Sequence, residues 1–169
     1  DIFILMPPYP GSPYGVVDGI DDIRKRTREV LRAGADVIKV CATGGVMGSI
    51  DDPEFTQFTI DELKVMVEEG EMRKGIKVMA HAQGIEGIKN AIKAGVISIE
   101  HGIYLDDEAI EMMKEKGVFL VPTLLVFNAV IEGNYPENVK EIAKKVYEIH
   151  KKKLTVNLQI LKYLKYLQI

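Results

Sequence analysis

The stretches Gly75-Ile-Lys-Val-Met-Ala-His81 and Gly95-Val-Ile-Ser-Ile-Glu-His101 follow one another in the chain and decide its fold. Each begins with a glycine after a charged segment, continues as an apolar run and ends in a histidine. This pattern predicts a buried strand that is entered through the glycine that ends the preceding helix. Two further runs begin in the same way, Gly34-Ala-Asp-Val-Ile-Lys-Val-Cys41 and Gly117-Val-Phe-Leu-Val-Pro-Thr123.

The segments before and between these runs carry apolar residues at helical spacing, as in Ile60, Leu63 and Val67. The helices are expected around residues 21–33, 59–74, 86–94 and 106–116. An alternation of strand and helix with short connections predicts an α/β fold with a parallel sheet. No Rossmann-type Gly-x-Gly-x-x-Gly follows any of the strands, so the pattern favours a β/α barrel over a doubly wound sheet.

The chain has 169 residues, whereas a complete (β/α)8 barrel typically needs about 250. We therefore expect a partial TIM-type barrel over residues 1–150, with about four β/α units. Its open strand edges should be covered by the N-terminal segment, the tail or another copy of the chain. Residues 151–169 carry regularly spaced leucines and predict an amphipathic helical tail that buries a leucine face, which favours a homo-oligomer.

Composition excludes several classes of function. The net charge of −3 and the pI near 5.7 show no electrostatic signature of nucleic-acid binding. No apolar run approaches the roughly 18 residues of a membrane span. Cys41 is the single cysteine and the N-terminus does not resemble a signal peptide, so the expected compartment is the cytoplasm.

The candidate functional residues are His81, His101 and Lys39. Both histidines occupy the sixth step after the glycine of their repeat, which predicts that they lie at the C-terminal ends of neighbouring strands, where barrels carry their active sites. One strand histidine is usually structural, but two in equivalent positions favour function. Lys39 lies inside an apolar run, on the same face as Val37 and Cys41 by period-two alternation.

Three interpretations of Lys39 remain open from the residues themselves. It could be a strand-end lysine whose amine reaches solvent. It could be a neutral amine that forms a Schiff base, as in barrel aldolases. It could also have taken up carbon dioxide to become an anionic carbamate that binds metal, which the nearby histidines favour. A carbamate oxygen and two imidazole nitrogens would suit a catalytic divalent metal such as zinc, which activates water for hydrolysis.

The strings Ile38-Lys-Val-Cys-Ala-Thr-Gly-Gly-Val-Met47, Val78-Met-Ala-His-Ala-Gln-Gly84, Ile99-Glu-His-Gly102 and Leu120-Val-Pro-Thr123 resemble strands four to seven of the amidohydrolase superfamily. They are most similar to its Xaa-Pro dipeptidase-like (prolidase-like) and imidazolonepropionase-related branch. The resemblance implies that Lys39 is a carboxylated lysine bridging two metals and that His81 and His101 bind the second metal. It implies a zinc-type hydrolase of C–N bonds in a dipeptide or related amide.

Two parts of that family's site have no counterpart in the sequence: a His-x-His pair on the first strand and an aspartate on the eighth, which acts as metal ligand and proton shuttle. The third histidine, His150, is expected on a surface helix, so no catalytic base is assigned. Two alternatives to the hydrolase remain, a Schiff-base lyase that uses Lys39 and a non-catalytic, oligomerising barrel fragment.

Two weaker features lie beside the candidate site. The backbone N–H groups of Thr43-Gly44-Gly45 could bind a substrate carboxylate, although a flexible turn is the more common explanation. Tyr104 could reach a bound substrate or simply pack.

Overall fold

The computed structural model describes residues 2–5, 15–46 and 52–156 of the chain. Its strands are β1 (Ile2–Leu5), β2 (Val37–Cys41), β3 (Lys77–Ala82), β4 (Ser98–His101) and β5 (Phe119–Val121). Its helices are α1 (Gly19–Arg32), α2 (Ile60–Glu71), α3 (Ile85–Ala94), α4 (Asp107–Lys116), α5 (Leu124–Glu132) and α6 (Glu137–Val156). The predicted alternation of strand and helix is confirmed.

The five strands form one sheet, and every neighbouring pair is parallel. Their order in the sheet is the order in the chain, β1-β2-β3-β4-β5. In a doubly wound sheet the order in which strands are added reverses at a switch point, whereas in a barrel each new strand lies beside the one before it. The sequential order therefore confirms the preference for a barrel-type arrangement.

Strand β1 was not expected from the sequence. Its four residues pair with the first four of β2, from Ile2 opposite Val37 to Leu5 opposite Val40. The run has four residues and begins at residue 2, so the sequence shows no helical pattern and glycine before it from which the repeat could be recognised. Of the three alternatives expected to cover the open strand edges, the N-terminal segment is the one that the structure places beside β2.

Helices α1 to α4 cover one face of the sheet, and the candidate site lies on the other face. One set of alternating strand residues is fully buried against the helices, and it includes Ile38, Val40, Ala80 and Ile99. Helices α3 and α4 end at glycines with left-handed backbone, Gly95 at φ 97° and Gly117 at φ 67°, as the glycine-led repeats predict. In β2 and β3 the opposite set of residues, which includes Lys39 and His81, is only partly buried, whereas Ser98 and Glu100 of β4 are buried.

Helices α5 and α6 pack together around a second apolar cluster of buried residues. Its members are Ile103, Phe127, Val130, Ala143 and Val146, with Val46 and Tyr104 packed against them. Ile103 and Tyr104 follow β4, and Val46 follows β2. The helix pair therefore rests on the loops at the C-terminal ends of the strands.

The prediction that His150 lies on a surface helix is wrong. His150 is fully buried, with its ring 6.2 Å from that of Phe127. The reason is helical spacing: His150 continues the buried stripe of Ala143 and Val146, although lysines and glutamates fill the rest of the helix.

The predicted boundary at residue 150 stays a prediction. Helix α6 passes through this position without interruption, and Leu154 packs against the main core. The remaining tail leucines, Leu158, Leu161, Leu164 and Leu167, lie outside the described residues. In the part of the chain that the structure describes, no helix is long and apolar enough to cross a membrane.

Candidate active site

His81 and His101 meet at the C-terminal edge of the sheet. Their rings lie edge to face, with centroids 4.7 Å apart and an interplanar angle of 71°. His81 is the second-to-last residue of β3, and His101 is the last residue of β4. The structure thus brings together the two histidines that the sequence singled out.

Lys39 lies on the same face of the sheet, two residues before the end of β2. The register pairs Cys41 with His81, which places Lys39 two steps below His81 on the neighbouring strand. Two steps along a strand span about 6.6 Å, which the long lysine side chain can cover. Lys39 is partly buried, and its charge acts on His101.

A backbone carbonyl fixes the protonation pattern of His81. The Nε2 atom lies 3.1 Å from the carbonyl oxygen of Gly44. A carbonyl oxygen accepts and cannot donate, so Nε2 must carry the hydrogen. In the neutral ring, the lone pair then lies on Nδ1, the nitrogen that could bind a metal.

His101 is held by Thr123 and stays neutral. Its Nδ1 atom lies 2.6 Å from the Thr123 hydroxyl oxygen. Burial is the main reason that the pKa of His101 falls to about 3, and the charges of His81, Lys39 and His150 lower it further. Because only a neutral imidazole binds metal, a low pKa suits His101 to that role.

At Gly44 neither interpretation of the Thr43-Gly44-Gly45 turn applies, whereas a substrate contact from the N–H groups of Thr43 and Gly45 stays a prediction. The Gly44 N–H donates to Phe55 O at 3.0 Å and is therefore not directed at a substrate. The turn is also tightly packed rather than flexible, because a Cβ at Gly44 would lie 2.3 Å from the carbonyl oxygen of Asp52. This loop instead supplies the acceptor for His81.

Tyr104 follows His101 by three residues and packs against the α5–α6 pair. Its side chain is partly buried against the second apolar cluster, and its N–H donates to Gln83 O at 3.1 Å. Burial, followed by the charges of Glu54 and Asp52, raises the pKa of its phenol. Tyr104 therefore packs beside the site and stays protonated.

The unmodified side chains provide too few metal ligands. Among the residues that the structure describes, no group of three or more His, Cys, Asp or Glu could hold a metal ion. Two imidazoles meet at the site, and a carbamate on Lys39 would add the anionic oxygen ligand that a catalytic zinc centre needs as its third. The donor set therefore fits a divalent metal if Lys39 is carboxylated.

Sequence reasoning missed the residues that hold the two histidines, Thr43, Gly44, Gln83 and Thr123. All of them lie in the quoted strings, but their roles depend on contacts between different loops. A possible signal was the recurrence of hydrogen-bonding residues immediately after each strand, where they surround the site.

Comparison with known proteins identifies what the chain resembles. The amidohydrolase family profile matches residues 4–157. The curated ochratoxinase of Aspergillus niger is 45% identical over 141 residues, which cover 81% of this chain and 29% of that protein. An uncharacterized protein of Mycobacterium bovis is 38% identical over 81 residues, which are 45% of this chain and 22% of that protein.

Solved structures agree with the sequence matches. The crystal structure of A. niger ochratoxinase superposes with a TM-score of 0.80 at 38% identity, covering 97% of this chain and 39% of that one. A prolidase complexed with N-methylphosphonate-L-proline gives 0.79 at 34% identity, covering 89% and 37%. A Xaa-Pro dipeptidase with bound methionine in its active site gives 0.78 at 34% identity, covering 90% and 38%.

The chain spans only about 29% of the length of the ochratoxinase that it matches. The solved structures are amidohydrolase barrels, so the prediction of a partial TIM-type barrel is confirmed. The numbering of the strands as fourth to seventh stays a prediction, as does the metal-binding role of Lys39, His81 and His101. Because the family profile matches most of its length, the chain belongs to the amidohydrolase family.

Proposed function

We propose that this chain carries a metal half-site of a hydrolase that cleaves the C–N bond of a dipeptide or related small amide. The observation that carries the proposal is the meeting of His81 and His101 on the face of the sheet that also bears Lys39. Hydrolase activity agrees with the family, and the amide class agrees with the names of the similar prolidase and Xaa-Pro dipeptidase. Hydrolysis itself is proposed only for a protein that also carries the His-x-His pair and the aspartate of the family's site.

His81 would bind the metal through Nδ1, because its Nε2 donates to Gly44 O. His101 would bind through Nε2 when its Nδ1 donates to Thr123. Its low pKa keeps the ring neutral, which is the form that binds metal. Lys39 would contribute a carbamate oxygen. When bound, a divalent metal such as zinc, one of the two that the family resemblance implies, would lower the pKa of a water ligand toward 7 and polarise the scissile carbonyl group.

Metal content tests this proposal directly. The chain is purified without chelator or affinity tag, incubated with zinc and bicarbonate, desalted and analysed for zinc. We expect about one zinc ion per chain, and loss of that zinc in the His81→Ala/His101→Ala double variant. Substitution of the third histidine, His150→Leu, is the matched control and should keep its zinc. Full zinc occupancy in the double variant would refute the assignment.

The role of Lys39 needs its own experiment. With ¹³C-bicarbonate, a carbamate should give a carbonyl resonance that disappears in Lys39→Gln and persists in the control Lys93→Gln, which changes an exposed lysine of α3. The Schiff-base alternative predicts no carbamate signal. It predicts instead that borohydride traps a carbonyl substrate on Lys39 as a stable adduct. The oligomeric, non-catalytic alternative predicts sedimentation as an oligomer that does not depend on chelator.

A further inference from the structure

The carbonyl oxygen of Gly44 accepts from two side chains at once. His81 Nε2 donates from 3.1 Å, and the Thr43 hydroxyl group donates from 2.8 Å. A carbonyl oxygen has two lone pairs, so the two donors need not compete. The position of this single oxygen decides which nitrogen of His81 carries the hydrogen.

The Thr43 hydroxyl group is itself held in one orientation. It accepts from the backbone N–H of Gln83 at 3.0 Å, which leaves its only hydrogen to point at Gly44 O. Thr43 is buried, with 2% of its surface exposed, so water does not compete for this group. Its methyl group lies against Gly87, where an added Cβ would come within 2.2 Å of it. These contacts fix the side-chain rotamer of Thr43.

Gln83 holds the next part of the same loop. Its side-chain oxygen accepts from the Val46 N–H at 2.9 Å, and the residue is 5% exposed. On the other side, the Gly44 N–H donates to Phe55 O. The loop that carries the Gly44 carbonyl is therefore held both before and after this residue.

We propose that Thr43 and Gln83 are positioning residues for His81, which hold the Gly44 carbonyl so that Nε2 keeps the hydrogen and Nδ1 presents the lone pair to metal. The part of this inference that concerns metal rests on the proposed function. The part that concerns the His81 tautomer does not, because it follows from contacts of the metal-free chain. Neither residue touches the reacting atoms.

Nitrogen NMR of the metal-free chain, labelled with ¹⁵N-histidine, measures the tautomer of His81 at a pH where the ring is neutral. The His81→Gln variant assigns its signals among the three histidines. We expect wild type to show the Nε2–H form. Thr43→Val removes the hydroxyl group at nearly constant shape and should give a mixture of tautomers, whereas Thr43→Ser keeps the hydroxyl group and should restore the wild-type signals.

Zinc affinity supplies the second readout. Loss of a partner that orients a metal-binding histidine typically weakens binding about 10–100-fold, so Thr43→Val should fall in that range and Thr43→Ser should recover. If Thr43→Val does not fold, Gln83→Met decides, since it removes the acceptor for Val46 N–H and should shift both readouts in the same direction.

Wild-type tautomer in Thr43→Val, or no recovery in Thr43→Ser, would overturn the positioning role. If Gln83→Met is the deciding variant, an unchanged tautomer and zinc affinity would overturn it. A wild-type chain that binds no zinc but shows the expected tautomer changes would refute the proposed function and leave the positioning role intact. If the wild-type chain binds zinc but Thr43→Val changes neither the tautomer of His81 nor the zinc affinity, the positioning role is refuted and the proposed function stands.

Discussion

His81 and His101 contact each other although the sheet does not pair them. The register places His81 opposite Glu100, and His101 stands one step further along, opposite Ala82. Strict alternation would turn His101 toward the helices, as it does Ala82. Instead His101 has a φ of 74°, a left-handed conformation that is uncommon for a residue other than glycine, and its ring meets that of His81. The site thus uses a strained backbone position to bring the two imidazoles together.

Thr123 should be needed to hold the ring of His101. It occupies the N-cap position of α5, also with a positive φ of 49°, but its hydroxyl group bonds His101 rather than the helix. Thr123→Val should therefore weaken zinc binding about 10–100-fold, because the His101 ring loses its orienting partner. A competition titration against a zinc chelator measures this. Thr123→Ser keeps the hydroxyl group and should bind as wild type; equal weakening in both variants would show that the hydroxyl group is not responsible.

Gly44 should tolerate no side chain, whereas its neighbour Gly45 should. A Cβ at Gly44 would lie 2.3 Å from the backbone oxygen of Asp52, which cannot move without shifting its loop. A Cβ at Gly45 would make an ordinary van der Waals contact, 3.9 Å from Cε1 of His81. Gly44→Ala should cost about 1–3 kcal/mol in the free energy of unfolding and displace the His81 acceptor. Urea titration of both alanine variants checks this, and equal stability of the two would contradict it.

The fold was predictable because each β/α unit repeats the same local signals. Glycines such as Gly95 and Gly117 end helices, and apolar runs of strand length follow them, so element type and order could be read directly. Strand β1 is an apolar run, but no glycine stands before it in the sequence, and it was missed. Period-two alternation likewise predicted that Lys39 faces the site side of the sheet, because alternation is a local property of a strand.

The supporting contacts of the site could not be read in the same way. The bond from His81 to Gly44 joins residues 37 positions apart, and the acceptor is a backbone atom that no residue type reveals. The burial of His150 depends on α6 packing against α5, whereas its sequence neighbours Lys151 and Lys152 suggested a solvated face. Local pattern specifies elements, but their mutual packing decides which polar groups meet.

Glu69 should link α1 to α2 through a buried carboxylate. It accepts from Arg28 at 2.8 Å and from Arg24 at 2.7 Å, and its own side chain is 4% exposed. Glu69→Gln should lower the free energy of unfolding by about 1–3 kcal/mol at pH 7, since charge-assisted hydrogen bonds are lost. Glu68→Gln is the matched control, because Glu68 is 61% exposed and 3.8 Å from Arg24, and it should change stability little.

The contribution of Glu69 to the free energy of unfolding should also depend on pH, and its pKa gives the direction. The hydrogen bond from Arg28 is the first cause that lowers the pKa of Glu69 below its ordinary value of 4.5, although burial opposes it. Because the folded-state pKa is the lower one, this stabilisation is present above about pH 4.5 and is lost as the pH falls through the folded-state value. The difference in stability between wild type and Glu69→Gln should therefore shrink below pH 4.5. A difference that stays constant down to the acid transition would contradict the ion-pair explanation.

His150 should make the chain less stable in mild acid. Its two ring nitrogens are buried and have no hydrogen-bond partner among the described residues, and burial lowers its pKa from 6.5 to about 4. Since the unfolded chain takes up a proton at higher pH than the folded chain, stability is fully present above pH 6.5 and declines toward pH 4. At pH 5 the loss from this group is about 2 kcal/mol.

Replacement of His150 by leucine isolates this effect. His150→Leu removes the titrating ring from an apolar environment beside Phe127 and should be neutral or stabilising at pH 7, because no hydrogen bond is broken. Between pH 7 and pH 5, wild type should lose about 2 kcal/mol more than the variant in urea unfolding. His101 is present in both proteins, and the charge of His150 is the smallest of the causes that lower its pKa, so its own contribution changes little in the comparison. Equal losses in the two proteins would mean that His150 is hydrated or hydrogen-bonded in solution and does not hold its ring neutral by burial.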